Sequence, residues 1–356
     1  MTRATPGAVA AVQPATDLPP LSRPHPRSHP RSLWFAGSIL LVIALAVMSL
    51  RFGIRATHWS EIWMALTAYD GDIAEHIVVQ TMRLPRLCAA LLTGAALGTA
   101  GALIQALSRN PLADPGLLGV NGGAALGVVL CILVLNTSDP ADFIWAALAG
   151  GFIAAGLVYF VGGGSRASVL RLILAGAAVS ALFMALTRGL LLASQQALDV
   201  YRFWVLGGFD GIQAEMIYPL LPFLGLGAVL AAAATYGLNA LSLGEEIARG
   251  LGVRTGLARL TAGLAIVVLC GASVALAGPI AFVGLIVPHL ARWIAGPGLG
   301  WTVLFSSSLG ACLLLAADLL GRLPLFGGNM QAGVMTALIG GPMLIWLVRR
   351  HGVGTL

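Results

Sequence analysis

The chain predicts an all-α polytopic membrane protein of about ten transmembrane helices, and three observations carry that prediction. Hydrophobic residues make up 58% of its 356 positions and charged residues only 10%, with a mean hydropathy of +0.92. Uncharged or nearly uncharged runs recur along most of its length, and helices satisfy their own backbone hydrogen bonds in lipid without closing a barrel. The alternation of a membrane β-barrel, in segments of about ten residues, is not what the chain shows.

Residues 1–31 are rich in Pro and Arg, carry His25 and His29, and hold no apolar period. They predict a disordered tail. Leu33 to Leu50 is too long and too far from the terminus for the apolar core of a signal peptide, and further spans follow it. It is therefore the first span, and the tail is cytoplasmic. Residues 51–82 carry Glu61, Asp70, Asp72 and Glu75. They read as a soluble loop with interfacial anchors at Trp59 and Trp63.

The second span, 87–107, is uncharged and long enough for a hydrocarbon core about 30 Å thick. Arg83 and Arg86 stand at one end of it and Arg109 at the other. Further spans are predicted at 116–135, 143–163, 169–193, 214–235, 260–277, a short 279–291, 301–320 and 331–348. Gly94 with Gly98, and Gly123 with Gly127, offer surfaces on which helix backbones can approach closely.

Orientation follows positive charge near span ends. All 20 basic residues are arginine. With the tail inside, thirteen of them fall on the inner side and six on the outer, with Arg188 within a span. A chain without lysine cannot hold a standard P-loop, whose lysine binds the β- and γ-phosphates. Carboxylates in the spans are scarce, Asp318 standing at a span end, which argues against a proton relay. An intramembrane enzyme would need a convergent nucleophile and base or a metal-ligand cluster. Cys88, Cys131, Cys270 and Cys312 are scattered without CxxC spacing and read as packing residues. His289, after Pro288, reads as a helix-boundary residue, with a haem or metal ligand as the other reading.

Energy for active transport is therefore expected from another subunit. Residues 238–259, LNALSLGEEIARGLGVRTGLAR, are polar and helical in pattern. Ser242 can cap a helix whose first turn carries Glu245 and Glu246, with Gly250 or Gly252 ending it. Such a segment suits a docking lever and suits a solvated connector equally.

Three segments together carry a resemblance: RLPRLCAALLTGAALGTAGALIQALSRNPLADPGLLGV (83–120), LSLGEEIARGLGV (241–253) and VALAGPIAFVGLIVPHLAR (274–292). They resemble the permease subunits of iron-siderophore, haem and cobalamin ABC importers, the FecCD-type family, from about Leu33 to Arg350. The resemblance implies the type II ABC importer permease architecture, in which a ten-span subunit dimerises with a second copy around a central pathway. It also implies two ATPase subunits, which hold ATP and magnesium, and a periplasmic binding protein that delivers a metal chelate. This chain would then be a translocation subunit rather than an enzyme, with no cofactor or metal of its own and no nucleic-acid partner. It would lie in a bacterial inner membrane with both termini cytoplasmic. A gradient-driven carrier is the alternative class.

The resemblance also assigns roles. Arg83, Arg86 and Arg322 match arginines that receive acidic residues of the binding protein. Exposed arginines on the outer face suit that task, whereas interfacial snorkelling or, for Arg322, pairing with Asp318 one turn back are the plain readings. Asn110, Pro111 and Leu112 match a cytoplasmic gate. As residues alone they form a turn in which Asn110 caps the next segment. Leu243, Gly244, Glu245, Glu246, Arg249, Gly250, Leu251 and Gly252 match the coupling helix, within about 240–256. The chain departs from the family at Asn329-Met330-Gln331-Ala332-Gly333, where Glu-Leu-Pro-hydrophobic-Gly is usual. Arg188 lies deep in its span, where burial in lipid is costly. It is expected to face a pathway and attract an anionic cargo, with haem favoured over a ferric siderophore and cobalamin third, or else to bond neighbouring carbonyls.

Overall fold

A computed structural model describes residues 31–53, 57–137, 139–164, 169–296, 298–323 and 330–351. Its helices are α1 (Arg31–Arg51), α2 (Trp59–Thr67), α3 (Ala74–Ile77), α4 (Leu84–Ser108), α5 (Val120–Leu135), α6 (Pro140–Val161), α7 (Val169–Leu192) and α8 (Gln195–Trp204). They continue with α9 (Ala214–Ile217), α10 (Leu221–Ser242), α11 (Glu245–Gly250), α12 (Thr255–Ala277), α13 (Val283–Ala295), α14 (Leu299–Gly321) and α15 (Ala332–His351). Among the described residues, seven helical stretches are long and apolar enough to cross a membrane, and α5, α13 and most of α15 are shorter apolar helices, as in a multi-pass membrane protein. The tail expected at 1–31 lies outside the described residues except for Arg31, which begins α1.

Helices α4, α12 and α14 form the centre. Most of the apolar stretch of each is buried, while α1 and α7 are largely exposed. Helix α4 packs on α14, α12 and α13, and α5 packs on α6 and α7. Glycine makes the α4–α14 contact possible, since a Cβ on Gly98 would lie 2.0 Å from the Ser306 carbonyl and one on Gly94 only 2.4 Å from that of Gly310. The α5–α6 contact repeats the device at Gly123 and Gly127.

Several boundaries differ from the sequence reading. The stretch 51–82 is not a loop: α2 and α3 lie in it, and α3 runs through a π-helical turn, Val78–Arg83, into α4. Pro85 lacks the N–H that would bond the Thr81 carbonyl, so the wider turn falls where the regular ladder must break. The span expected at 214–235 starts at Ala214 as a short helical lead-in through Pro219, continues as α10 and runs on to Ser242. The span expected at 279–291 is displaced to 283–295. Gly278 (φ 71) and Pro279 keep the chain extended up to Phe282, itself left-handed with φ 70. His289 is consequently buried within α13 rather than at its boundary, and Pro288 lies inside the helix.

Candidate functional site

Polar residues gather at the two ends of α4. At the Arg86 end the last turn of α1 presents carbonyls that have no partner in their own helix. Arg83 Nη1 donates to the carbonyls of Leu50 (2.5 Å) and Arg51 (2.9 Å). Arg322 donates to those of Ser49 (3.2 Å) and Phe52 (3.1 Å) and to the Ser49 hydroxyl (2.5 Å). Both guanidiniums thus cap the negative end of the α1 dipole. Each residue is only 7% exposed, which corrects the expectation that Arg83 and Arg322 stand free on the surface.

Arg86 is arranged differently. Its Nε donates to Asp318 Oδ1 at 2.8 Å, its Nη2 lies 2.7 Å from the same oxygen, and its Nη1 donates to Asp210. The other oxygen of Asp318 pairs with Arg322 at 3.0 Å, as the plain reading of Arg322 held. Asp318 is wholly buried, whereas the Asp210 side chain is 40% exposed. A cavity of about 920 Å³ opens here, lined by Gln80, Arg83, Arg86, Asp210, Glu215 and Arg322 among others. The sequence reading missed Asp210. Its turn is seated by Gly208 N–H on the Ala277 carbonyl (2.8 Å) and by Gly333 N–H on that of Gly207 (2.9 Å). Gly207 has a φ of 68, and a Cβ there would lie 2.5 Å from the Pro279 carbonyl. In the atypical segment Asn329–Gly333, Asn329 lies outside the described residues, and the Gln331 side-chain amide rests against Gly208, where a Cβ would have to displace it.

At the opposite end, Asn110 accepts the N–H of Leu112 on its side chain (2.9 Å) and that of Ala113 on its carbonyl (3.1 Å), closing a tight turn around Pro111. Contrary to the sequence reading, the cap of the next helical segment is not Asn110. Asp114 fills that role, accepting from Gly116 N–H at 2.8 Å, because it directly precedes the short 3-10 turn Pro115–Leu118. Buried Gln105 joins this turn to α13. Its amide nitrogen lies within donor range of the carbonyls of Ala113 (3.4 Å), Gly284 (3.3 Å) and Leu285 (3.0 Å). Pro288 has no N–H for the Gly284 carbonyl, so the Gln105 amide supplies the missing donor. On the other side of the turn, Arg109 donates to the Leu241 carbonyl at 2.5 Å.

The polar segment that follows contains α11, of six residues. Ser242 does not cap it, because α10 runs on to Ser242, whose hydroxyl donates to Asn239. The N-cap is Gly244, with φ 118. Gly252, φ 79, lies just past the helix end and donates to the Arg249 carbonyl, while Val253 donates to that of Ala248. Glu245 is tied inward to Arg259 (2.9 Å) and Thr255 (3.4 Å) of α12, and pairs along its own helix with exposed Arg249 (2.9 Å). The hydrogen bond and charge of Arg259 hold its carboxyl below the usual range. Outward, Ile247 and Leu251 stand one turn apart, Leu243 is exposed just before the helix, and Glu246, Arg249 and Gly250 are exposed beside them. Ile247 was missed because the segment read as polar, although its spacing was visible.

Arg188 stands on the exposed face of α7, in line with Leu174, Ala177, Ala181, Ala185 and Leu192.

The FecCD transport family matches residues 40–350. The ferric enterobactin transport system permease protein FepD of Escherichia coli (strain K12) is 41% identical over 329 residues, covering 91% of this chain and 97% of its own. The hemin transport system permease protein HmuU of Yersinia pestis is 34% identical over 318 residues, covering 88% of this chain and 94% of its own. A solved metal-chelate type ABC transporter in an inward-facing conformation superposes with a TM-score of 0.78 at 31% identity, over 90% of this chain and 99% of that one.

Proposed function

The chain belongs to the FecCD transport family, and on that premise we propose that it is the membrane permease subunit of an ATP-driven importer for an anionic iron chelate. The observation that carries this reading is α11. A short helix with exposed Ile247 and Leu251, preceded by exposed Leu243 and anchored inward by Glu245, offers a partner apolar side chains on a fixed base. The chain has no lysine for a P-loop of its own. The partner is accordingly a P-loop ATPase, two copies of which hold ATP and magnesium and seat against Leu243, Gly244, Glu246, Ile247, Arg249 and Leu251. The arginine bias, thirteen against six, supports an orientation with this end, both termini and the gate turn Asn110–Leu112 in the cytoplasm of a bacterial inner membrane.

A periplasmic binding protein docks at the opposite end. Arg86 carries that contact, because it lines the open cavity and its Asp210 partner is exposed and replaceable. Arg83 and Arg322 support it by fixing α1 and Asp318 around it. Arg86→Glu is expected to abolish capture of the loaded binding protein in a surface-binding assay, and unchanged affinity would remove Arg86 from the interface.

A second copy packs on the exposed face of α7, bringing two Arg188 guanidiniums to a shared pathway where an anionic cargo would meet them. A ferric siderophore is the first reading of that cargo, supported by the higher identity to the enterobactin permease. Haem is the second, favoured by Arg188, which suits propionate groups. Proteoliposomes containing the permease, its ATPase and binding protein, offered ferric enterobactin, ferric dicitrate and hemin in turn, test both. Uptake should require ATP and fall in Arg188→Ala. Accumulation by the chain alone under a proton or sodium gradient would replace the importer with a carrier.

A further inference from the structure

The Leu241 carbonyl, in the last turn of α10, is shared by two donors. It accepts the N–H of Gly244 at 3.1 Å and the guanidinium Nη2 of Arg109 at 2.5 Å. Gly244 is the N-cap of α11, and Arg109 is the C-cap of α4 and directly precedes Asn110. The helix that receives the ATPase and the turn that closes the pathway thus meet at one oxygen.

The contact is built to hold. Carbonyls in the last turn of a helix have no partner in their own ladder and form the negative end of its dipole, so a guanidinium is retained there by charge as well as by hydrogen bonding. Arg109 adopts left-handed backbone with φ 51, uncommon for a residue bearing a Cβ. That conformation turns the chain out of α4 directly into the Asn110–Ala113 turn, whose two internal bonds leave it little freedom. A shift of the Leu241 carbonyl therefore moves Arg109, and Arg109 moves Leu112. On its far side the same turn is held to α13 through Gln105.

We infer that Arg109 is a positioning residue that transmits displacement of the coupling helix α11, through the Leu241 carbonyl, to the gate turn Asn110–Leu112. The inference rests on the importer reading above, with α11 as ATPase seat and the turn as gate.

The test follows the gate directly and needs no cargo. Leu112→Cys is placed in the permease, the complex is assembled with its ATPase in proteoliposomes, and its reaction with a membrane-impermeant maleimide is timed without nucleotide and after trapping with ATP and vanadate. The same complex without Leu112→Cys supplies the background from the native cysteines. The parent is expected to change its labelling rate about tenfold between the two states, in line with typical coupling between sites. Adding Arg109→Ala should collapse that difference while ATP hydrolysis stays within about twofold. Arg109→Lys, which keeps a charged donor for a single carbonyl, should restore most of it. A nucleotide-dependent change of full size in Arg109→Ala overturns the inference. So does an Arg109→Lys complex that assembles and hydrolyses ATP without moving the gate, which decides the matter even where the alanine variant fails to assemble. A parent complex with no ATP hydrolysis removes the importer reading itself, and the transmission role with it.

Discussion

Arg86 and Asp318 form an ion pair in which two guanidinium nitrogens, at 2.8 and 2.7 Å, converge on one oxygen of a carboxylate that has no exposed surface. Asp318 also pairs with Arg322 at 3.0 Å and so balances two largely buried cations. Asp210 pairs with the same Arg86 from an exposed turn. The two aspartates therefore differ in what their loss should do.

Asp318→Asn leaves two guanidiniums without their buried counter-charge and is expected to destabilise the fold by about 3–5 kcal/mol. Asp210→Asn removes a partly exposed pair and should cost no more than about 1 kcal/mol. Thermal unfolding in detergent, followed by tryptophan fluorescence, would show it. Equal losses for the two variants would contradict the assignment of Asp318 as the structural partner.

Gln105→Leu withdraws the donor that stands in for the missing N–H of Pro288 and strands the Gly284 carbonyl in a buried place. The expected cost is about 1–3 kcal/mol. Gln105→Glu should be worse, since it sets a carboxylate against three carbonyl oxygens. Should the glutamate variant prove as stable as the parent in denaturant titration, the amide is not acting as a donor.

Ile247→Asp changes a side chain that is 55% exposed. Stability of the purified chain should stay within about 0.5 kcal/mol of the parent, while co-purification of the ATPase is lost. Retention of the ATPase by a folded Ile247→Asp permease would place the seat elsewhere than α11.

Glu245 gives a pH dependence of known sign. Its carboxyl is held below the usual range, chiefly by the hydrogen bond and charge of Arg259. The unfolded chain therefore takes up its proton first as pH falls. The contribution of this pair is fully present above the ordinary carboxylate value of about 4.3 and is lost as pH drops through the lower folded value. The stability difference between the parent and Glu245→Gln should be constant from about pH 7 to 5 and shrink below about pH 4. A gap that widens in acid would reverse the sign and refute the pairing.

The sequence was legible wherever function depends on what a residue is rather than on what it touches. The uncharged runs located the bundle, Gly94 and Gly98 marked a backbone contact, and the Asn-Pro pair marked a turn. Arg83, Arg86 and Arg322 were found as a set, yet nothing in their spacing said that two of them cap α1 while the third faces the cavity. Asp210 was invisible because a carboxylate in a glycine-rich turn is ordinary until the turn is folded back over α4. Helix ends were the least legible, as at Phe282 and Ser242, because a cap depends on a few dihedral angles rather than on hydropathy.

Hydropathy and the absence of lysine therefore determined, from sequence alone, that this is a helical membrane protein without a standard P-loop of its own. Both follow from the transfer of side chains into lipid and from the chemistry a P-loop demands, which are properties of residue types. Tertiary structure decided which arginine faces the cavity, which aspartate is buried, and that Arg109 and Gly244 share the Leu241 carbonyl. Those are properties of distance, and residues more than a hundred positions apart acquire a distance only when the chain has packed.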